Sequence, residues 1–187
     1  MGLIAQFNTA LELWFNAHGI PNLNVVEGED FCFYHGKKNV IQWGVFIQDD
    51  IDNNFLQFFD EYGCTLCFSN AFVPSLLHEV GHYLTMPNFS SDEILTEQKQ
   101  KARTKKKPSI KTNYWYWELP MEFSANLWAI QFINRHIEWI KELTSLCNDF
   151  LKKIYEDENI MEQINDWVED VKMGIDVPLI IDESEDE

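Results

Sequence analysis

The chain has 187 residues, 45% of them apolar and 14% aromatic, with seven Trp and fourteen Phe, and a formal net charge of −17. So many large apolar side chains exclude a disordered chain, and the length suits one core rather than two, so residues 1–181 read as a single domain followed by an acidic tail, 182–187. The acidic balance argues against nucleic acid as a partner, and no run approaches the roughly eighteen apolar residues that a membrane span needs.

Residues 3–17 carry Leu3, Phe7, Leu11 and Trp14 at helical spacing, closed by His18, Gly19 and Pro21. The segment lacks a basic leader region and holds Glu12 within its apolar part, which predicts a surface helix rather than a signal peptide and a cytoplasmic protein. The runs NLNVV, DFCFYH and NVIQWGVFI then predict three short strands between 23 and 48, with a turn at Gly36. DIDNNFLQFFDEY (50–62) reads as a short helix or turn that drops Phe55, Phe58 and Phe59 onto the sheet, and TLCF as a further strand. The CxxC at Cys64 and Cys67 has no second pair of metal ligands, so all four cysteines are read as free, buried thiols.

A helix capped by Ser69 or Asn70 is expected through FVPSLLHEVGHYLT, with Pro74 in its first turn and Pro87 beyond its end. Residues 88–112 are polar and include seven basic residues, Lys99 to Lys111, without an intervening acid; they read as an exposed basic insertion. Pro120 opens a long helix whose apolar stripe is taken to run through Phe123, Leu127, Ile130 and Asn134. Amphipathic helices are expected at about 137–157 and 159–172.

The chemistry lies in LLHEVGHYL, residues 76–84. Four residues of helix advance about 6 Å and turn about 400°, so His78 and His82 project from one face and can share one ion. Glu79 lies about 100° around the helix, outside the ligand shell but within reach of a water on the metal. A catalytic zinc takes a third protein ligand, and ELPMEFSAN (118–126) offers Glu118 and Glu122. Pro120 leaves Glu118 at or before the helix start, whereas Glu122 falls in the first turns with Asn126 one turn on; Glu122 is preferred, and Asn126 can orient a ligating imidazole. Gly81, costly inside a helix by about 1 kcal/mol, predicts close approach of another backbone.

HEVGH followed by EFSAN resembles the glutamate-zincin pattern, and HEVGHYL with a later Glu..AlaAsn is similar to the compact peptidases of the ImmA/IrrE kind. The resemblance implies an α+β fold: a small, twisted, mostly antiparallel sheet beside the HExxH helix, with a mainly helical C-terminal half. It also implies a zinc metallopeptidase that hydrolyses a peptide bond in a peptide or protein substrate, some relatives acting on transcriptional regulators. His78, His82 and Glu122 would be the Zn2+ ligands, Glu79 the general base that activates the water, and Asn126 the partner of a ligating histidine.

An oxyanion donor is also expected, and Tyr83, Tyr114, Tyr116 and His35 remain open for that role. An edge strand within 39–48 can hold an extended substrate. Trp115 and Trp117 are assigned to core or pocket wall. Two other functions stay open: a zincin-fold binding module without catalysis, and a helical protein-interaction domain in which HEVGH is accidental. The sequence leaves the oligomeric state undetermined.

Overall fold

The computed structural model describes residues 2–27, 32–35, 38–43, 49–68, 71–105, 116 and 118–158. Helix α1 (Leu3–Ala17) leads into strands β1 (Asn24–Glu27), β2 (Cys32–His35) and β3 (Val40–Trp43). Helices α2 (Asp49–Glu61), α3 (Phe72–Thr85), α4 (Ser91–Lys105), α5 (Pro120–Arg135) and α6 (Ile137–Glu156) follow, with a 3₁₀ turn at Met86–Asn88. The fold is α+β and mainly helical. Among the described residues no helix is long and apolar enough to cross a membrane.

Helix α1 buries Phe7, Leu11, Trp14 and Phe15, the expected stripe widened by one aromatic, and ends where Gly19 adopts a left-handed φ of 80°. Its polar residues tie it to the sheet: Asn8 Oδ1 accepts from Trp43 Nε1 at 2.6 Å, and Glu12 Oε1 accepts from the Val25 N–H at 2.8 Å. Trp43 then meets Phe7 edge-on, ring centroids 5.0 Å apart, with Phe72 of α3 closing the cluster.

The three strands stand in the order β1-β3-β2. β2 pairs antiparallel with β3, Cys32 opposite Trp43 and His35 opposite Val40, whereas β1 pairs parallel with β3, Asn24 opposite Val40 and Glu27 opposite Trp43. The expectation of a mostly antiparallel sheet is therefore corrected. β3 inserts between two strands that are neighbours in sequence, so the reversal made by β2 brings β3 back alongside β1 in the same direction. A second expectation fails for the same reason: β3, within 39–48, is the central strand and offers no edge. The Val25 N–H points away from β3 into Glu12, so α1 also covers part of the β1 edge.

Helix α2 is longer than a turn and lays Phe55, Phe58 and Phe59 into the core as expected. TLCF is not a strand; this loop is fastened to α5 by Asn134, whose Oδ1 accepts from the Thr65 N–H at 2.9 Å and whose Nδ2 donates to the Gly63 carbonyl at 2.8 Å. Cys64, Cys67 and Cys147 are free, but only Cys147 of these three is buried; Cys64 is half-buried and Cys67 exposed.

Helix α3 is the centre of the molecule. Every residue from Phe72 to His82 is buried, because β2 and β3, α5 and α6 all pack against it. A helix covered on all faces must be apolar all round or must pair its polar groups, and α3 is apolar apart from Ser75 and the His78, Glu79 and His82 cluster. Its N-cap is Ala71, without a side-chain cap; Ser69 and Asn70 lie outside the described residues.

The part of the expected basic insertion that is described, 88–105, is mostly exposed but is ordered into a helix rather than lacking periodicity. Ser91–Lys105 is helical, started by Ser90 and Glu93, whose side chains bond each other and each other's backbone N–H groups. Helix α4 packs on α5 and buries Glu97 at 3% exposure. Low apolar content concealed this contact because its buried groups are charged and paired. The Gly36 turn, the basic residues 106–112, Trp115, Trp117, the helix expected at 159–172 and the tail 182–187 lie outside the described residues.

Candidate metal centre

The i,i+4 spacing on α3 places the His78 and His82 rings 4.5 Å apart, centroid to centroid. Glu79 Oε1 lies 3.9 Å from His78 Nε2, and the ligand atoms of His78, Glu79 and His82 all fall within 4.8 Å of one another. All three residues are buried, so this group can hold a metal ion. The Tyr34 backbone N–H of β2 donates to the Glu79 carboxylate and fixes it beside the sheet edge.

Helix α5 supplies the rest. Pro120 sits in its first turn, where its missing N–H breaks no helical bond, and Glu122 follows at 2% exposure. The Glu122 carboxylate reaches across to α3: Oε2 is 3.1 Å from His78 Nε2 and Oε1 is 3.4 Å from His82 Nε2. One turn on, Asn126 is fully buried and its Oδ1 accepts from His78 Nδ1 at 2.7 Å. Glu118 is exposed at the helix mouth and has no place in this cluster.

What allows this convergence is the absence of side chains between the two helices. A Cβ on Gly81 would lie 2.8 Å from the Ala125 Cα and 2.9 Å from its carbonyl carbon, closer than real Cβ atoms approach backbone. The close approach expected at Gly81 is thus to Ala125, which falls between Glu122 and Asn126. The face of α5 turned to α3 is Glu122, Ala125, Asn126, Ala129 and Ile133, small and polar for the most part. The stripe read from sequence holds in part: Ile130 is buried and Phe123 packs against the core, but Leu127 is exposed, and Asn134 holds the loop instead of lining the core.

Electrostatics bind the cluster tightly. Burial works against a charged His78, but hydrogen bonding and charge from Glu122, with Glu79 and Asn126 adding, raise its pKa above the ordinary 6.5. Burial likewise opposes the Glu122 carboxylate, yet the charge of His82 and hydrogen bonds from both histidines hold it well below 4.5. Glu79 goes the other way, above 4.5, chiefly through burial and despite the histidines. The raised His78 group stabilises the fold below 6.5 and loses that contribution as pH rises through its folded value; Glu122 contributes above 4.5 and loses it as pH falls through its own. Glu79, raised, contributes in the same direction as His78. Chelator-treated protein should therefore melt highest between about pH 4.5 and 6.5, and added divalent metal should raise the melting temperature most on the alkaline side, where the imidazoles are proton-free. Thermal melts across pH with and without metal measure both.

No family model, curated protein or solved structure matches the chain. The resemblance to the ImmA/IrrE peptidases therefore rests on the sequence motifs HEVGH and EFSAN alone.

Three further residues border the centre, of which only Tyr116 was among the expected candidates. Glu97 of α4 accepts the Met121 N–H through Oε2 at 2.8 Å, capping the start of α5. Lys101, one turn on, lies 3.2 Å from Glu97 Oε1 and donates to Glu122 Oε1. Tyr116, left open among four oxyanion candidates, hydrogen-bonds Glu122, and burial beside the carboxylates raises its pKa. Tyr83 instead donates to the Pro21 carbonyl at 3.0 Å, while Tyr114 and the His35 side chain lie outside the described positions. Only the Glu97 and Lys101 pairing had a local signal, the i,i+4 acid-to-base spacing.

Proposed function

We propose that the chain is a zinc-dependent peptidase in which His78, His82 and Glu122 hold Zn2+ and Glu79 is the general base. The observation that carries this reading is the carboxylate of Glu122, brought to 3.1 and 3.4 Å from the two Nε2 atoms. Ligands 2.0 to 2.1 Å from a tetrahedral zinc stand about 3.3 to 3.4 Å from one another, so the separations suit that ion. The donor chemistry also fits. With the Nδ1 proton of His78 given to Asn126, the Nε2 lone pair faces a carboxylate oxygen, acceptor against acceptor, unless a proton or a cation stands between them. His82 Nδ1 is buried without a hydrogen-bond partner among the described residues, so no donor there forces the ring proton onto Nε2, which stays free to ligate.

Zinc, when bound, supplies Lewis acidity, which polarises a peptide carbonyl and lowers the pKa of a water to about 7. The chain provides the proton traffic and the positioning. Glu79, made more basic by burial, takes a proton at its carboxylate and passes it to the leaving amine, serving as base and then acid. The Tyr34 N–H that holds Glu79 points away from β3, so the outer edge of β2 runs beside the base. An extended peptide pairing along that edge has its backbone delivered to Glu79 with little demand on side-chain identity. Tyr116, bonded to Glu122, is the candidate oxyanion donor that adjoins the site among the described residues.

Metal analysis of purified protein tests the reading. About one zinc per chain is expected, with His78→Ala and Glu122→Ala each abolishing it while a folded circular-dichroism spectrum persists. Full zinc retention in Glu122→Ala would remove the third ligand and the proposal with it.

A further inference from the structure

Helix α4 places an ammonium against the oxygen that this centre uses to ligate. Lys101 Nζ donates to Glu122 Oε1, the same atom that lies 3.4 Å from His82 Nε2, and it is held there by Glu97 at 3.2 Å. Glu97 is itself immobilised, 3% exposed and bonded through its other oxygen to the Met121 N–H. The ammonium further stands 5.5 Å over the Tyr116 ring. We propose that Lys101 is an internal counter-cation of the metal centre, set by α4 to compete with the bound ion for Glu122 and so to limit its affinity.

This inference rests on the metal reading above and extends it. Three buried carboxylates, Glu79, Glu97 and Glu122, would otherwise crowd one region, and a buried charge is tolerated only when it is paired. Lys101 supplies that pairing, which lets α4 and α5 dock before an ion is acquired. Its position exacts a consequence: a dication ligated by Glu122 meets a positive charge already bonded to the same carboxylate, in a site too buried for water or salt to screen fully. Loading therefore pushes Lys101 outward and weakens the tie between α4 and α5, leaving the Glu97 cap on Met121 as the remaining link. Lys101 is a positioning residue in this scheme and touches no reacting atom.

Lys101→Met keeps an apolar side chain of similar length and removes the charge, and it should bind zinc about tenfold or more tightly in competition with a chromophoric chelator. Lys101→Arg, which retains the charge, should stay within about threefold of the parent. A merely structural lysine would give the opposite sign, since a loosened α4 weakens the site. Equal or weaker zinc binding by folded Lys101→Met overturns the proposal. In the parent chain, zinc should speed amide hydrogen exchange across residues 98–105, a readout that needs no variant; slower or unchanged exchange there also overturns it. The two readings separate cleanly. A parent that takes up no zinc sinks the metal centre itself, whereas a parent that binds zinc alongside a Lys101→Met variant that gains nothing sinks only the role of Lys101.

Discussion

Glu79→Gln should retain zinc at the parent level and lose peptide hydrolysis by about 10²- to 10⁴-fold, the range of a positioned general base. Glutamine keeps the shape of the buried side chain and can still accept the Tyr34 N–H, so the packing of α3 against β2 is preserved. It cannot take a proton. The lesion is confined to chemistry because the proposed ligand set, the two Nε2 atoms and the Glu122 carboxylate, is left whole. The measurement pairs metal content with the turnover of a random peptide pool read by mass spectrometry. A variant that cleaves as fast as the parent would remove Glu79 from the mechanism. If the parent binds zinc but cleaves nothing, the zincin-fold binding module becomes the better description.

Gly81→Ala is the second large effect, and it acts through packing. The new methyl would meet the Ala125 backbone, Cα at 2.8 Å and carbonyl carbon at 2.9 Å, and a backbone cannot swing aside as a side chain does. Helix α5 must then move away from α3. Alanine recovers about 1 kcal/mol of helix propensity, but overpacking against a rigid neighbour costs more, and a net loss of about 1–3 kcal/mol is expected in urea denaturation. The displacement also carries Glu122 and Asn126 outward, since they flank Ala125 on the same face, so zinc affinity should fall by about tenfold or more. Gly81→Ala with unchanged stability and unchanged metal affinity would show that the two helices do not depend on this contact.

The two variants divide the site into what is local and what is distant. His78, Glu79 and His82 owe their arrangement to helix geometry alone: 3.6 residues per turn puts the imidazoles on one face and the carboxylate beside them, and that is legible in five letters. Gly81 was legible for a related reason. A helix interior bears a glycine at a cost, so a neighbour's close approach could be inferred even though Ala125 could not be named. The preference for Glu122 over Glu118 likewise followed from Pro120, which sets where a helix can begin.

Tertiary structure alone decided the remainder. Glu122 meets residues on α3 at the far end of a long intervening segment, and no periodicity encodes which face of one helix another will accept. The large apolar residues of α5 located Ile130 and Phe123 but not the contact with α3, which is made of small residues where backbones come close and side-chain volume is a hindrance. The sheet order escaped prediction since short strands carry a face but no record of their partner. The inner face of helix α4 was hidden for the plainest reason: composition reports how polar a segment is, whereas the burial of Glu97 and the half-burial of Lys101 depend on charges that lie elsewhere in the chain and become partners only once it has folded.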